Sequence, residues 1–222
     1  VFPERTREFS ITVDLTAEMV VVNPFDFFIE PYAEVLPFTY PPDLRADLAA
    51  YLTVDDDGPR LRAAVAALAP DGERTVDFLV NLNARLQQQI RYLVRMVAGV
   101  QTPDETLALG SGSCRDSAWL FVQMLRHLGF AARFVSGYLI QLKADIDPID
   151  GPQGTQTDFT DLHAWAEAYI PGAGWIGFDV TSGLLTGEGH LPLAASPHYR
   201  SSAPITGAAS VAKTDFDFEM SV

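Results

Sequence analysis

The segment Gly110-Ser111-Gly112-Ser113-Cys114-Arg115-Asp116-Ser117-Ala118-Trp119 joins a turn of small residues to an apolar periodic stretch. Beyond the turn, apolar residues recur at steps of three and four: Ala118, Phe121, Val122, Leu125 and Leu128. This spacing predicts an amphipathic helix with one buried face, which Gly129 ends as a C-terminal glycine. The sequence therefore predicts a loop that presents Cys114, exposed at the turn, on the first turn of a helix.

Cys114 is the single cysteine of the chain, so no internal disulfide can form. A thiol at a helix start faces the positive end of the helix dipole and unpaired backbone N–H groups, and both favour the thiolate. The alternatives are a small buried hydrophobic residue and a redox-sensing thiol, which would lack a resolving cysteine within the chain. Cys114 is thus a candidate nucleophile.

The composition indicates a folded globular protein, with 48% hydrophobic content. Its 222 residues are enough for one sizeable core, or for one domain with an appended piece. The formal charge of −14 disfavours nucleic acid and anionic membrane surfaces as partners. No apolar run approaches the ~18 residues of a transmembrane helix. Because the chain starts at Val1 without a signal pattern, we expect a cytoplasmic location, unless a signal preceded this piece in a longer chain.

The first 42 residues differ in pattern from the rest. Apolar and polar residues alternate from Phe9 to Leu15, which predicts a half-buried strand. A proline-punctuated aromatic stretch follows, and Pro41-Pro42 marks a boundary. We therefore predict the end of a β-rich region with its connector in residues 1–42 and a catalytic core in residues 43–222.

The core begins with helices. Their predicted starts are Asp43 as an N-cap, the residues after Asp57-Gly58-Pro59, and Thr75 as the cap of a helix reaching Leu93. Residues 99–109 are predicted to be a connector. After the cysteine helix, the sequence predicts strands at Ala131–Leu142, Leu162–Ile170 and Trp175–Val180, and a last strand through Phe216, Phe218 and Met220.

An acidic loop separates the first two of these core strands. Asp145, Asp147, Asp150, Asp158 and Asp161 stand among glycines and prolines, without the spacing of an EF-hand. A solvated loop and a calcium site both remain open. The histidines outside the core strands, at positions 127, 190 and 198, show no zinc spacing, and the last two fall in a loop-rich tail.

His163 and Asp179 fall on neighbouring strands joined by the turn Pro171-Gly172-Ala173-Gly174. If Glu167 pairs with Trp175, antiparallel register places His163 opposite Asp179, on one face. A carboxylate beside an imidazole fixes its tautomer and stabilises the imidazolium. With Cys114, the pair would complete a nucleophile, a base and an orienting group, although a structural histidine and a turn-forming aspartate are the alternatives.

Four motifs together resemble the bacterial transglutaminase-like family: Gly112-Ser113-Cys114-Arg115-Asp116, the segment from Leu125 to Tyr138, Asp161-Leu162-His163-Ala164-Trp165-Ala166-Glu167, and Gly174-Trp175-Ile176-Gly177-Phe178-Asp179. Their order and spacing match over about residues 70 to 185. The opening segment is similar to the end of the β-rich domain that precedes the core in that family.

The resemblance implies an α+β, papain-like core in which the cysteine helix packs on an antiparallel sheet. It also implies a catalytic triad of Cys114, His163 and Asp179 that acts through a thioester. The backbone N–H of Cys114 would help to hold the oxyanion. Candidate oxyanion and channel residues are Tyr92, Ser113, Trp165 and Trp175, with cross-strand packing as the alternative for the two tryptophans.

The expected function is a thiol-dependent hydrolase of amide bonds, a cysteine peptidase or amidase that needs no cofactor and acts on a protein or peptide. One alternative is a protein-glutamine acyltransferase, a transglutaminase that passes the thioester to an amine. Another is a non-catalytic peptide-binding or scaffold module of the same fold. The sequence leaves the natural substrate and the oligomeric state open.

Overall fold

The computed structural model describes residues 7–143, 155–206, 215 and 217–222. Most of the helices precede the main sheet in the chain. The helices are α1 Pro42–Asp47, α2 Ala49–Leu52, α3 Pro59–Ala66, α4 Thr75–Gln89, α5 Pro103–Leu109 and α6 Cys114–His127, with 3-10 turns at Pro31–Ala33 and Tyr199–Ser202. The strands are β1 Arg91–Tyr92, β2 Ser111–Gly112, β3 Ala132–Gln141, β4 Phe159–Ile170, β5 Gly174–Asp179, β6 Leu184–Leu185 and β7 His190–Ser196.

The main sheet has five strands in the order β6-β5-β4-β3-β7, and each neighbouring pair is antiparallel. Helix α6 packs across β4 and β3. It can approach closely because the face of β4 that joins the core carries the small side chains Ala164, Ala166 and Ala168. Phe121 of α6 meets Phe178 of β5 edge to face, with ring centroids 5.7 Å apart. The α+β fold with a cysteine helix on an antiparallel sheet is therefore confirmed.

Strand β7 lies at the edge of the sheet and contains a bulge. Ser136 pairs with Ala194, whereas the next residue, Gly137, pairs with Pro192, so Leu193 is an extra residue on β7. Gly137 is required there, because a Cβ at this position would collide with the backbone of Leu191. A bulge on an edge strand is also where a proline is tolerated in a sheet.

The helical region departs from its predicted boundaries in two places. Helix α4 ends at Gln89 rather than Leu93, because the backbone N–H groups of Arg91 and Leu93 donate to the carbonyls of Gly110 and Gly112. This parallel pairing forms β1 and β2. The predicted connector 99–109 contains α5, whose capping box joins Thr102 and Glu105.

Two predicted N-caps are also wrong. Helix α1 begins at Pro42 with Pro41 as its N-cap, so Asp43 lies inside the first turn. Helix α4 has Arg74 as its N-cap. The hydroxyl of Thr75 donates instead to the carbonyl of Ala33, which ties α4 to the preceding 3-10 turn.

The strand predicted at Phe9–Leu15 is absent, because residues 7–22 have no regular secondary structure. The four apolar residues of the alternation are more than half exposed. Alternation forms a strand only where a partner strand pairs with it, and no described strand does so. Residues 217–222 likewise form no strand, and Phe216 lies outside the described residues. The domain division at residue 42 stays a prediction.

Half of the acidic loop also lies outside the described residues, including Asp145, Asp147 and Asp150. Asp158 accepts a hydrogen bond of 2.9 Å from the backbone N–H of Lys143. Asp161 belongs to β4, which begins three residues earlier than predicted.

Candidate active site

Cys114 is the first residue of α6, as predicted, and Ser113 is its N-cap. The approach to the helix is tight at Gly112, where a Cβ would meet the Cβ of Asp116 at 2.8 Å. The expectation that Cys114 is exposed is wrong, since only 9% of it is accessible. Cys114 is buried because it belongs to the main hydrophobic core. The neighbouring Arg115 side chain donates to the carbonyls of Arg95 and Val97 in the segment that follows β1.

The buried side chain of Asp116 holds the first turn of α6 in place through its hydrogen bonds. Its fully buried carboxylate accepts two hydrogen bonds from the Arg95 guanidinium, at 2.9 and 2.7 Å. It also accepts from the backbone N–H groups of Gln101 and Ser113 and from the Ser113 hydroxyl, each at 2.8 Å. Burial raises the pKa of Asp116, but these hydrogen bonds outweigh burial and lower it below its usual value.

His163 and Asp179 are brought together on β4 and β5. The imidazole Nε2 of His163 lies 3.2 Å from Oδ2 of Asp179, and both side chains are buried. The predicted register is wrong by two residues, because Glu167 pairs with Gly177 rather than Trp175. A shift of two keeps every side chain on its face, so Asp179 becomes a diagonal neighbour of His163 instead of lying opposite it.

The other carboxylate oxygen of Asp179, Oδ1, is hydrogen-bonded to Thr181 in the turn that follows β5. Oδ1 accepts from the backbone N–H of Thr181 at 2.8 Å and from its hydroxyl at 2.7 Å. Burial raises the pKa of Asp179, but hydrogen bonds from His163, His190 and Thr181 outweigh it and hold the pKa far below the ordinary value. The carboxylate is therefore a fixed, ionised acceptor.

The charge on His163 depends on two partners. Burial lowers the pKa of His163, but hydrogen bonds and negative charge from Asp179 and Cys114 outweigh it and raise the pKa to about 10. Since Nε2 faces Asp179, Nδ1 is the ring nitrogen left for the thiol of Cys114. The arrangement can therefore hold a thiolate–imidazolium pair beside a buried carboxylate.

His190 belongs to the same cluster, although the sequence placed it in a loop-rich tail. It begins β7, and its Nε2 lies 3.4 Å from the same Oδ2 that His163 contacts. Its ring meets Trp165 edge to face, with centroids 5.3 Å apart. The alternation through residues 190–196 is weak and interrupted by Pro192, so the sequence pattern did not predict this strand.

The other predicted site residues separate into two groups. Tyr92 is half-exposed, and the charges of Cys114, Asp161 and Asp179 act on its phenol. Ser113 precedes Cys114 and is buried, while Trp165 packs on His163. Trp175 stands apart: its ring contacts are with Tyr51, Tyr169 and the guanidinium of Arg133, toward the far end of β4.

One group of side chains among the described residues has the geometry of a metal site. His163, Asp179 and His190 each offer a ligand atom, and these atoms lie within 4.8 Å of one another. However, Nδ1 of His190 accepts a hydrogen bond from the backbone N–H of Gly187 at 3.2 Å. The neutral ring therefore carries its proton on Nε2, the atom a metal would need. The cluster consequently fits a shared proton network better than a metal.

Comparison with known proteins agrees with this fold and motif order. The transglutaminase-like superfamily matches residues 62–180, more than half of the chain. The chain belongs to this superfamily. The match includes α6 and the strands that carry His163 and Asp179.

The transglutaminase-like chain has relatives in mycobacteria. It is 26% identical over 212 residues to the uncharacterized protein Rv2569c of Mycobacterium tuberculosis, an alignment covering 92% of the chain and 66% of the relative. It is 31% identical over 96 residues to the uncharacterized protein ML0607 of Mycobacterium leprae, covering 43% of the chain and 31% of the relative. The chain thus spans about two thirds of the length of the first relative.

Among solved structures, the chain resembles a candidate cysteine protease from Cytophaga hutchinsonii. The two share a TM-score of 0.57 and 22% identity, over 77% of this chain and 53% of the other. This likeness concerns the fold. In the described part of the chain, no helix has the length and apolar character needed to cross a bilayer.

Proposed function

We propose that this transglutaminase-like protein is a thiol-dependent amide-bond hydrolase, a cysteine peptidase or amidase. The observation that supports the proposal is the buried Asp179–His163 pair, 3.2 Å apart, whose imidazole interacts with the thiol at the start of α6. Burying ionisable groups is costly unless they are paired. Perturbed titration in such a cluster is typical of active sites, and a binding module has no need of it.

In the proposed reaction, the Cys114 thiolate attacks the carbonyl carbon of an amide. The tetrahedral intermediate collapses as the His163 imidazolium donates its Nδ1 proton to the departing amine, which leaves a thioester on Cys114. His163 then takes a proton from water as that water attacks the thioester. Collapse of the second intermediate releases the carboxylic acid and restores the thiolate–imidazolium pair.

The oxyanion would be held by the backbone N–H of Cys114 and the hydroxyl of Tyr92. Strand β1 supports this assignment because Tyr92 pairs with Gly112, two residues before the nucleophile. Burial, together with the charges of Cys114 and of Asp161 and Asp179, raises the pKa of Tyr92, so its hydroxyl keeps the proton it would donate. Ser113 at the start of α6 and Trp165 on β4 would line the channel.

A protein-glutamine acyltransferase would use the same thioester and differ only in the attacking nucleophile. Water access and channel shape decide between the two. The test therefore measures three products from one purified protein: peptide cleavage, ammonia release and incorporation of a fluorescent primary amine into casein. We expect cleavage or ammonia release without an added amine, whereas incorporation that far exceeds both would replace hydrolysis with acyl transfer.

The nucleophile is tested with Cys114→Ala, and His127→Gln at the far end of α6 is the matched control. We expect Cys114→Ala to abolish turnover while far-UV circular dichroism and thermal unfolding stay like wild type, and the control to retain activity. Turnover in purified Cys114→Ala would overturn the assignment. A wild-type protein that neither turns over nor reacts with iodoacetamide would instead support the binding-module alternative.

We propose that the reaction needs no cofactor and takes place on neutral or basic peptides, given the chain's formal charge of −14. Activity that EDTA removes and calcium restores would overturn the absence of a cofactor. A cytoplasmic location stays a prediction, which fractionation of cells expressing the full-length protein would test.

A further inference from the structure

His190 contacts the candidate triad from a strand that the proposed mechanism does not use. Both Nε2 of His190 and Nε2 of His163 approach the same atom, Oδ2 of Asp179, at 3.4 and 3.2 Å. The other oxygen of Asp179 is already held by Thr181. In the described part of the chain, the hydrogen bonds and ion pairs of this carboxylate thus come from three residues, His163, Thr181 and His190.

The proton on His190 can be assigned from its second nitrogen. Nδ1 lies 3.2 Å from the backbone nitrogen of Gly187, a group that can only donate. Nδ1 must therefore accept, and the neutral ring carries its proton on Nε2. That proton points to Asp179, so the contact at 3.4 Å is an N–H donor facing a carboxylate oxygen.

The ring of His190 is held by its surroundings. Trp165 lies edge to face against it, with the ring planes at 83°. The titratable groups of the described chain that face it are Asp179 on β5 and His163 on β4, whose ring centroid is 5.9 Å away. Its pairing partner on β3 is the apolar Leu139.

We propose that His190 is a positioning residue of the active site: its Nε2–H donates to Asp179 and fixes the carboxylate in the orientation that holds the His163 imidazolium beside Cys114. This inference rests on the proposed function of the same site. His190 does not reach the reacting atoms in this role, because it acts through Asp179. A donor at this position, rather than an imidazole as such, is what the site requires.

Substitution of His190 by glutamine or by asparagine tests whether the site needs a hydrogen-bond donor at Nε2 or only a side chain that fills the space. Glutamine can place an N–H near the position of Nε2, whereas asparagine reaches only the level of Nδ1. We would measure the rate of Cys114 alkylation by iodoacetamide from about pH 5 to pH 10 in wild type, His190→Gln, His190→Asn and His163→Ala, with His127→Gln as control. Thermal unfolding of each variant would be followed in parallel.

We expect His190→Asn to slow alkylation at about pH 6 by about tenfold, the order expected for losing one hydrogen bond to a charged group. His190→Gln should stay within about twofold of wild type. Ring-nitrogen NMR of the wild type should show His190 protonated on Nε2. Equal profiles for wild type and His190→Asn, or a His190 protonated on Nδ1, would overturn the proposal even if His163→Ala suppresses the alkylation.

Failure of the proposed function gives a different result. In that case His163→Ala would react like wild type at every pH, because no ion pair would activate the thiol. If His190→Gln and His190→Asn both unfold at much lower temperature than wild type, the NMR tautomer remains the deciding measurement. Loss of the Nε2 proton signal on adding zinc, with wild-type alkylation inhibited at micromolar metal, would assign the cluster to metal binding and overturn the proposal.

Discussion

The candidate site contains two buried carboxylates, Asp116 and Asp179, and they differ in the partners that neutralise them. Asp116 at the start of α6 is paired with the guanidinium of Arg95, which keeps its proton at any working pH. Asp179 at the end of β5 is paired with the imidazole of His163, a group that can give up and take back a proton during a reaction. In both groups hydrogen bonding outweighs burial and lowers the pKa of the carboxyl. The partner then decides whether the carboxylate is a fixed anchor or can take part in proton transfer.

The largest expected effect is on catalytic activity, and it comes from replacing the Asp179 carboxylate. Asp179→Asn should lower kcat by about 10³- to 10⁴-fold, because the neutral amide no longer holds the His163 imidazolium. The variant should stay folded, since both Thr181 hydrogen bonds reach Oδ1, where the amide oxygen can still accept them. The measurement is peptide turnover together with circular dichroism. Activity near the wild-type level would show that Asp179 serves only to form the turn.

The second effect concerns stability at the other carboxylate. Arg95→Met should cost about 3 kcal/mol or more of the free energy of unfolding, because it leaves Asp116 buried without a charged partner. Urea unfolding at neutral pH measures the loss. The matched control is Arg62→Met, which removes an exposed ion pair with Asp57 and should cost less than about 1 kcal/mol. Equal losses in the two variants would show that Asp116 is not the anchor proposed.

The third effect is a pH dependence of stability that differs in sign between the two regions. The pKa of Asp116 is lowered in the folded state, so its contribution is present above the unfolded value of about 3.9 and is lost as the pH falls. The pKa of His163 is raised to about 10, so its contribution is complete below the unfolded value of about 6.5 and is lost as the pH rises toward 10.

Urea unfolding across pH tests both signs. The decline of stability between about pH 6.5 and 10 should flatten in His163→Ala, and the decline below about pH 4 should flatten in Asp116→Asn. If the stability of a variant still declines as in wild type over the pH range assigned to its residue, that residue does not cause the decline.

The local signals that succeeded were helical periodicity and strand composition. The three- and four-residue steps after Cys114 predicted α6, and runs rich in β-branched and aromatic residues between turn signals predicted most of β3, β4 and β5. The pair of His163 and Asp179 was predicted on the correct face with the wrong register, because a two-residue shift leaves the face unchanged. What the sequence reveals directly is which side of a strand a residue occupies.

The features that escaped prediction depend on contacts distant in sequence. Pairing with β2 ends α4 early, and Leu93 leaves the predicted helical stripe for that reason. Cys114 is buried because it joins a core whose members come from helices and strands far apart in the sequence. His190 joins the site through an edge strand that carries a proline and has weak alternation, so no local pattern marks it.

The extra residue on β7 has a consequence for parity along the chain. Along the first three pairs from the C-terminal end of β7, paired numbers on β3 and β7 sum to 330, and beyond the bulge they sum to 329. If Leu193 were paired with Gly137 instead of bulging out, His190 would align with Ile140 and face the opposite side of the sheet from His163. A single bulged residue therefore works as a switch of faces, and the membership of His190 in the active site depends on Leu193 staying unpaired as much as on the histidine itself.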